Sequence, residues 1–127
     1  MPTAPNRKKV VIVEDDSDLL EMELLFLGEE GYDVVGVVDG RKAVPTVKAE
    51  GADVLLLDFM LPGKDANEIL EELQSDPDTG NLPVIVVSAF LERLRSTPQL
   101  RKSLAKPFAF DELVKAVHEV IGGGDTA

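Results

Sequence analysis

Four places in this chain carry side chains suited to holding a hard cation and a phosphoryl group: Glu14-Asp15-Asp16, Asp58, Ser88 and Lys106. The first three directly follow short apolar runs: Val10 to Val13, Val54 to Leu57, and Val84 to Val87. Two carboxylates about 4 Å apart repel by ~4 kcal/mol at an effective dielectric of ~20. A hard divalent cation removes that penalty, and Mg²⁺ favours one or two carboxylates together with waters and a phosphate oxygen. An aspartate kept ionised beside such an ion can attack phosphorus while metal and ammonium neutralise the equatorial oxygens. Ser88 would then hydrogen-bond one phosphoryl oxygen and Lys106 would pair with another.

Each residue also has an ordinary reading. Asp16 is well placed as a helix cap, Ser88 as a loop hydroxyl, and Lys106 as a surface charge. No one of them carries weight alone. Their order at successive strand ends does, because the carboxyl ends of a doubly wound sheet converge on one crevice.

The elements that must position them are legible as a repeating pattern. The three runs above and Val34-Val35 with Val37-Val38 are rich in β-branched residues and do not alternate with polar ones. That marks strands covered on both faces, as in a parallel sheet. A short segment before Lys106-Pro107 supplies a fifth. Between them lie helical stretches. One is capped by Asp16 or Ser17, runs through Glu30 and stops at Gly31. A second spans Arg41 to Glu50, with Pro45 forcing a later start or a bend. A third spans Ala66 to Gln74, and the last, capped by Asp111, carries the stripe Leu113, Val114, Val117, Val120 and Ile121. Met22 and the Leu24, Leu25, Leu27 group read as core, and His118 as a surface imidazole. Strands alternating with helices predict an α/β fold: a five-stranded parallel sheet, helices on both faces.

Composition narrows the class. The 127 residues suit one domain over 1–127, with residues 1–7 and 122–127 as expected flexible tails. A net charge of −11 disfavours direct contact with nucleic acid. Cysteine is absent, which excludes disulfides, thiolate metal sites and a cysteine nucleophile. No signal-peptide core or membrane-length apolar run is present, so the expectation is a cytoplasmic protein without membrane contact.

With these residues in place, the chain resembles the response-regulator receiver domains, the chemotaxis-regulator-like phosphoacceptor domains of two-component systems. The resemblance rests on Glu14-Asp15-Asp16 after the first strand, Asp58 with Met60, Pro62 and Gly63, Ser88-Ala89, and Lys106-Pro107-Phe108. Gly31 to Val35 and Asp39 to Ala43 add to it, and together it covers roughly residues 8 to 121. It implies a flavodoxin-like fold and a phosphorelay switch, not a conventional turnover enzyme. Asp58 would accept phosphate from a sensor histidine kinase or a histidine phosphotransfer protein, with Mg²⁺ as cofactor. Asp15, Asp58 and the Met60 backbone carbonyl would hold the metal, with Glu14 helping directly or through water. Ser88 and Lys106 would contact the phosphoryl group, and Lys106-Pro107 would be cis. Output would pass to a downstream protein or through self-dimerisation.

Three departures qualify the resemblance. Ala66 follows the loop acid Asp65 where relatives commonly have glycine, a cost if that position needs positive φ. The span from Ser88 to Lys106, 106 − 88 = 18, is short for a full fourth helix, so that helix is expected to be short or remodelled. Ser103 stands where relatives carry the Tyr or Phe that turns inward on phosphorylation. Met60 and Phe90 flank the approach of the hydrolytic water, and both are apolar, which implies slow self-dephosphorylation. The rival reading is a degenerate receiver that binds partners without phosphorylation. An aspartate-nucleophile phosphatase of the haloacid dehalogenase type is disfavoured, because Met60 occupies the place of its acid. A nucleotide- or flavin-binding protein is disfavoured because acids replace the glycine-rich loop after the first strand.

Overall fold

The computed structural model describes residues 7–61 and 63–121; the expected tails, apart from Arg7, lie outside them. Five strands, β1 (Lys9–Val13), β2 (Asp33–Val37), β3 (Val54–Asp58), β4 (Val84–Ser88) and β5 (Leu100–Ala105), form one sheet in the order β2-β1-β3-β4-β5. Every pairing is parallel. Four helices connect or follow them: α1 (Ser17–Glu29), α2 (Ala43–Glu50), α3 (Ala66–Ser75) and α4 (Phe110–Ile121).

Alternate side chains of each central strand serve two cores. Val11, Val13, Leu55, Leu57, Val84 and Val86 face α2 and α3, packing with Val47, Ile69, Leu70 and Leu73. Val10, Ile12, Val54, Leu56, Ile85 and Val87 face α1 and α4, packing with Leu20, Leu27, Leu113 and Val117. β3 and β4 are buried at every residue, the reason their sequences show no polar alternation. Each fully buried aliphatic side chain contributes roughly 1.5–3 kcal/mol.

Helix ends follow local chemistry. Asp16 caps α1, its carboxylate accepting from the Asp18 and Leu19 amides at 3.1 and 3.2 Å. Gly31, at φ 95°, takes the chain out of that helix in a conformation only glycine adopts cheaply. Pro45 delays α2: a 3₁₀ turn over Gly40–Lys42 comes first, and proline then sits in the first helical turn, where its missing N–H costs nothing. Asp65 and Glu68 form a reciprocal capping box at α3. Ala66 is the first residue of that helix, fully buried and not at positive φ, so the feared backbone cost does not arise.

Three expectations need correction. α4 begins at Phe110, one residue before Asp111; the carboxylate that reaches back is Glu112, accepting from the Ala109 amide at 2.8 Å. Met22 and Leu25 are not core: they are 41% and 53% exposed on the outer side of α1, while Leu27 is buried. His118 is half-buried, its Nδ1 2.8 Å from the buried Tyr32 hydroxyl.

The remodelled region takes a definite form. Between β4 and β5 there is one 3₁₀ turn, Leu91–Arg93, followed by a non-helical strap to Leu100. Asn67 of α3 ties it down, its amide donating to the Arg93 carbonyl (2.9 Å) and accepting from the Arg95 amide (2.8 Å). Gln99 anchors the far end by donating to the Thr79 and Leu82 carbonyls.

Candidate functional site

Parallel register brings the strand ends to one rim. β1 ends at Val13, so Glu14 is the first residue beyond it, its amide donating to the Val37 carbonyl at 2.9 Å. Asp58 is the last residue of β3 and lies opposite Val87, and Ser88 is the next residue of β4. The chain leaving β5 enters a cis Lys106-Pro107 bond, with the Lys106 amide donating to the Ser88 carbonyl at 3.1 Å.

Glu14 and Asp58 are buried, at 2% and 8% exposure. One carboxylate oxygen from each of Glu14, Asp15 and Asp58 lies within 4.8 Å of the others. The Lys106 ammonium stands 3.3 Å from Glu14 Oε1 and 3.4 Å from Asp58 Oδ2. The other Glu14 oxygen accepts from the Asp16 amide at 3.1 Å. Asp15 is exposed, at the mouth of the cluster. Ser88 is almost fully buried, and its hydroxyl oxygen accepts from the Phe90 amide at 2.7 Å. Met60 and Phe90 stand at the loops beyond β3 and β4, 47% and 40% exposed.

The electrostatics show what this crowding costs. Burial, reinforced by the Asp58 charge and opposed by the Asp16 amide and Lys106, lifts the Glu14 carboxyl to about 7. Burial also raises Asp58, against the pull of the Lys106 ammonium. Burial works to lower Lys106, but Asp58 and Glu14 more than offset it and the ammonium is held above its ordinary range. A cluster with more negative charge than its one lysine neutralises suits a hard cation. The donor set, three carboxylates and no sulfur or imidazole, fits Mg²⁺ better than a softer metal.

Sequence reading missed one group here. Glu23 on α1 is 1% exposed, its Oε1 has no hydrogen-bond partner, and burial with the nearby Glu14 charge pushes it up to about 8. Its spacing held a clue: Glu23 stands between Leu20 and Leu27 on the one buried stripe of that helix.

Known proteins share this fold. A family profile described as the response regulator receiver domain matches residues 10–118. A solved structure of a sensor protein from Polaromonas sp. JS666 superposes with a TM-score of 0.84 at 27% identity, covering 92% of this chain and 98% of that one. The receiver domain of Francisella response regulator 1452 gives 0.79 at 28% identity, covering 94% and 100%. A CheY-like receiver domain from Methylobacillus flagellatus gives 0.79 at 21% identity, covering 91% and 99%, and shares the fold. An acidic cluster beside one lysine at the carboxyl rim accompanies a profile match that spans both cores, and the chain belongs to the response regulator receiver domains of two-component systems.

Proposed function

We propose that this receiver domain accepts a phosphoryl group on Asp58 and uses it to change which protein it binds. The observation that carries the reading is the position of Lys106 Nζ, within 3.4 Å of Asp58 and 3.3 Å of Glu14, beside three carboxylates that share one small volume. The donor is a phosphohistidine on a sensor kinase or a histidine phosphotransfer protein. An Asp58 carboxylate oxygen attacks phosphorus, the P–N bond breaks, and its electron pair leaves with the imidazole, which then takes up a proton. Asp15, Asp58 and the Met60 carbonyl, with Glu14 directly or through water, would hold Mg²⁺. When bound, that ion supplies positive charge to the transferring oxygens.

The rest falls to the chain itself. Lys106 swings little to pair with a phosphoryl oxygen, since it already touches Asp58. Ser88 donates its hydroxyl proton to another oxygen while its own oxygen goes on accepting from the Phe90 amide, since a hydroxyl carries one proton and two lone pairs. Because Ser103 is exposed and lacks a ring, the signal leaves through Phe90 and the strap beyond it. Phosphorylation acts only by its differential stabilisation of two conformations.

Incubation with Mg²⁺ and a small acyl phosphate, followed by intact mass measurement, tests this. A gain of one phosphoryl group that vanishes in Asp58→Asn is expected. No gain with any donor, kinase included, would instead favour a degenerate receiver that binds without phosphorylation.

A further inference from the structure

The loop between β3 and α3, which would carry the Met60 carbonyl, has little backbone support. Among the described residues, Met60, Leu61, Gly63 and Lys64 make no backbone–backbone hydrogen bond. The ends of the loop are fixed: the Phe59 amide donates to the Val87 carbonyl at 3.2 Å, and the Ala66 amide donates to the Phe59 carbonyl at 3.0 Å. Between those points its course depends on side chains. Leu61 is partly buried against the core under α2 and α3, and Lys64 pairs with Glu72. A third contact comes from outside the loop and its helix.

A Cβ added to Gly63 would stand 2.7 Å from Arg41 Cγ, 2.8 Å from Cδ and 2.9 Å from Nε, well inside van der Waals contact. The arginine stem therefore lies against the glycine backbone, in space that any other residue would fill. Gly63 is also at φ 86°, a conformation cheap only for glycine. The far end of the arginine is fixed as well. Its Nε donates to Asp39 Oδ1 at 3.1 Å and its Nη2 to Oδ2 at 2.7 Å, while the Arg41 amide donates to the same Oδ1 at 2.8 Å. Such a bidentate fork is the geometry in which an exposed ion pair counts. Asp39 follows β2, and β2 and β3 flank β1 in the sheet. Arg41 thus reaches from the loop after one neighbour of β1 to the loop after the other, at the rim where Glu14 and Asp15 emerge.

We propose that Arg41 is a positioning residue for the cation site: its stem, clamped by Asp39, rests on Gly63 and holds the β3–α3 loop so that the Met60 carbonyl stays at the rim beside Asp58. This deepens the phosphoacceptor reading and rests on it, since it takes Mg²⁺ to be held by Asp58 and Met60. A ligand on a loop already in place binds without the cost of ordering that loop. Arg41 itself touches neither metal nor phosphate and acts through Gly63. Clamp and charge predict opposite signs. A cation on the same rim as Glu14, Asp15 and Asp58 repels Mg²⁺, so on charge alone its removal tightens metal binding. Loss of the clamp weakens it.

The test is a Mg²⁺ titration of the full chain, followed by the amide shifts of Phe59 and Met60, with ¹⁵N order parameters at Gly63 and Lys64 before metal is added. Arg41→Ala should weaken Mg²⁺ binding about fivefold and lower the order parameters of the loop. Arg41→Gln keeps Cγ, Cδ and one donor toward Asp39 but not the charge, and should bind within about twofold of the parent. Lys42→Ala removes the neighbouring exposed cation and should bind no more weakly than the parent. Amide spectra check that each variant folds. Unchanged or tighter Mg²⁺ binding in Arg41→Ala, unchanged order at Gly63 and Lys64, or an equal loss in Arg41→Gln or Lys42→Ala overturns the clamp and leaves the phosphoacceptor reading standing. A parent that binds no Mg²⁺ overturns both.

Discussion

At the scale of single residues, side chains that do no bonding chemistry set the behaviour of those that do. Met60 and Phe90 lie two residues beyond Asp58 and Ser88, both apolar and exposed, and on the proposed phosphorylation of Asp58 they would border its approach. Neither can orient a water for attack on an aspartyl phosphate. Met60→Asn supplies a donor and an acceptor at that place, and the phosphorylated form should lose its phosphate several-fold faster, followed as decay of the phosphorylated mass. An unchanged lifetime would remove Met60 from the account. Glu23 leads to a different prediction. Its folded pKa of about 8 lies above its ordinary value of 4.5, so the folded state retains a proton that the unfolded state gives up between those values. The resulting stability is fully present below about 4.5 and is lost as pH rises through about 8. Glu23→Gln removes this titration, so denaturant unfolding should show the variant gaining on the parent as pH is raised from 5 to 8. The gain is at most a few kcal/mol. A constant difference between the two proteins across that range would show that Glu23 is not the titrating group.

At the scale of elements, the strap between β4 and β5 is the distinctive piece. It has no helix of its own, and one Asn67 side chain supplies a donor and an acceptor to its backbone. Asn67→Ala should cost about 1–2 kcal/mol, read as a lower denaturant midpoint with unchanged slope, and should speed amide exchange at Arg95. How far the sequence announced these elements depended on where each finds its partners. β1, β3 and β4 were legible because strands buried on both faces must be continuously apolar, as Val54 to Leu57 are. β5 was only a vague segment, since Leu100-Arg101-Lys102-Ser103-Leu104-Ala105 is an edge strand with a bulge and has no such run. The start of α4 was misplaced at Asp111 because the reach-back comes from Glu112, three residues into the turn. Glu14, Asp15, Asp58 and Lys106 were legible as a site because strand ends converge whatever lies between them. Contacts set by packing alone were not: Tyr32 and His118 are 86 positions apart, and Glu23 lies in a helix full of acids that face water.

At the scale of the whole molecule, charge and topology divide the work. The cluster of carboxylates sits at the carboxyl rim of the sheet, and over the whole chain 24 acidic residues outnumber 13 basic ones. No helix among the described residues is long and apolar enough to cross a membrane. The two flanks of the sheet also differ. On one side β5 is bulged and cationic. On the other, β2 is Asp-Val-Val-Gly-Val, with Val34 and Val35 half-buried, Val37 buried, an exposed glycine and no outer strand among the described residues.

That asymmetry bounds how copies of the chain can stack by strand addition. Growth of an open fibril needs two receptive borders on every subunit, and here only one qualifies. Union through β2 therefore consumes the receptive border of both molecules and halts at a pair. Sedimentation of concentrated protein should reveal dimers at most, with the cationic borders facing outward at either end of a ten-stranded sheet (5 + 5).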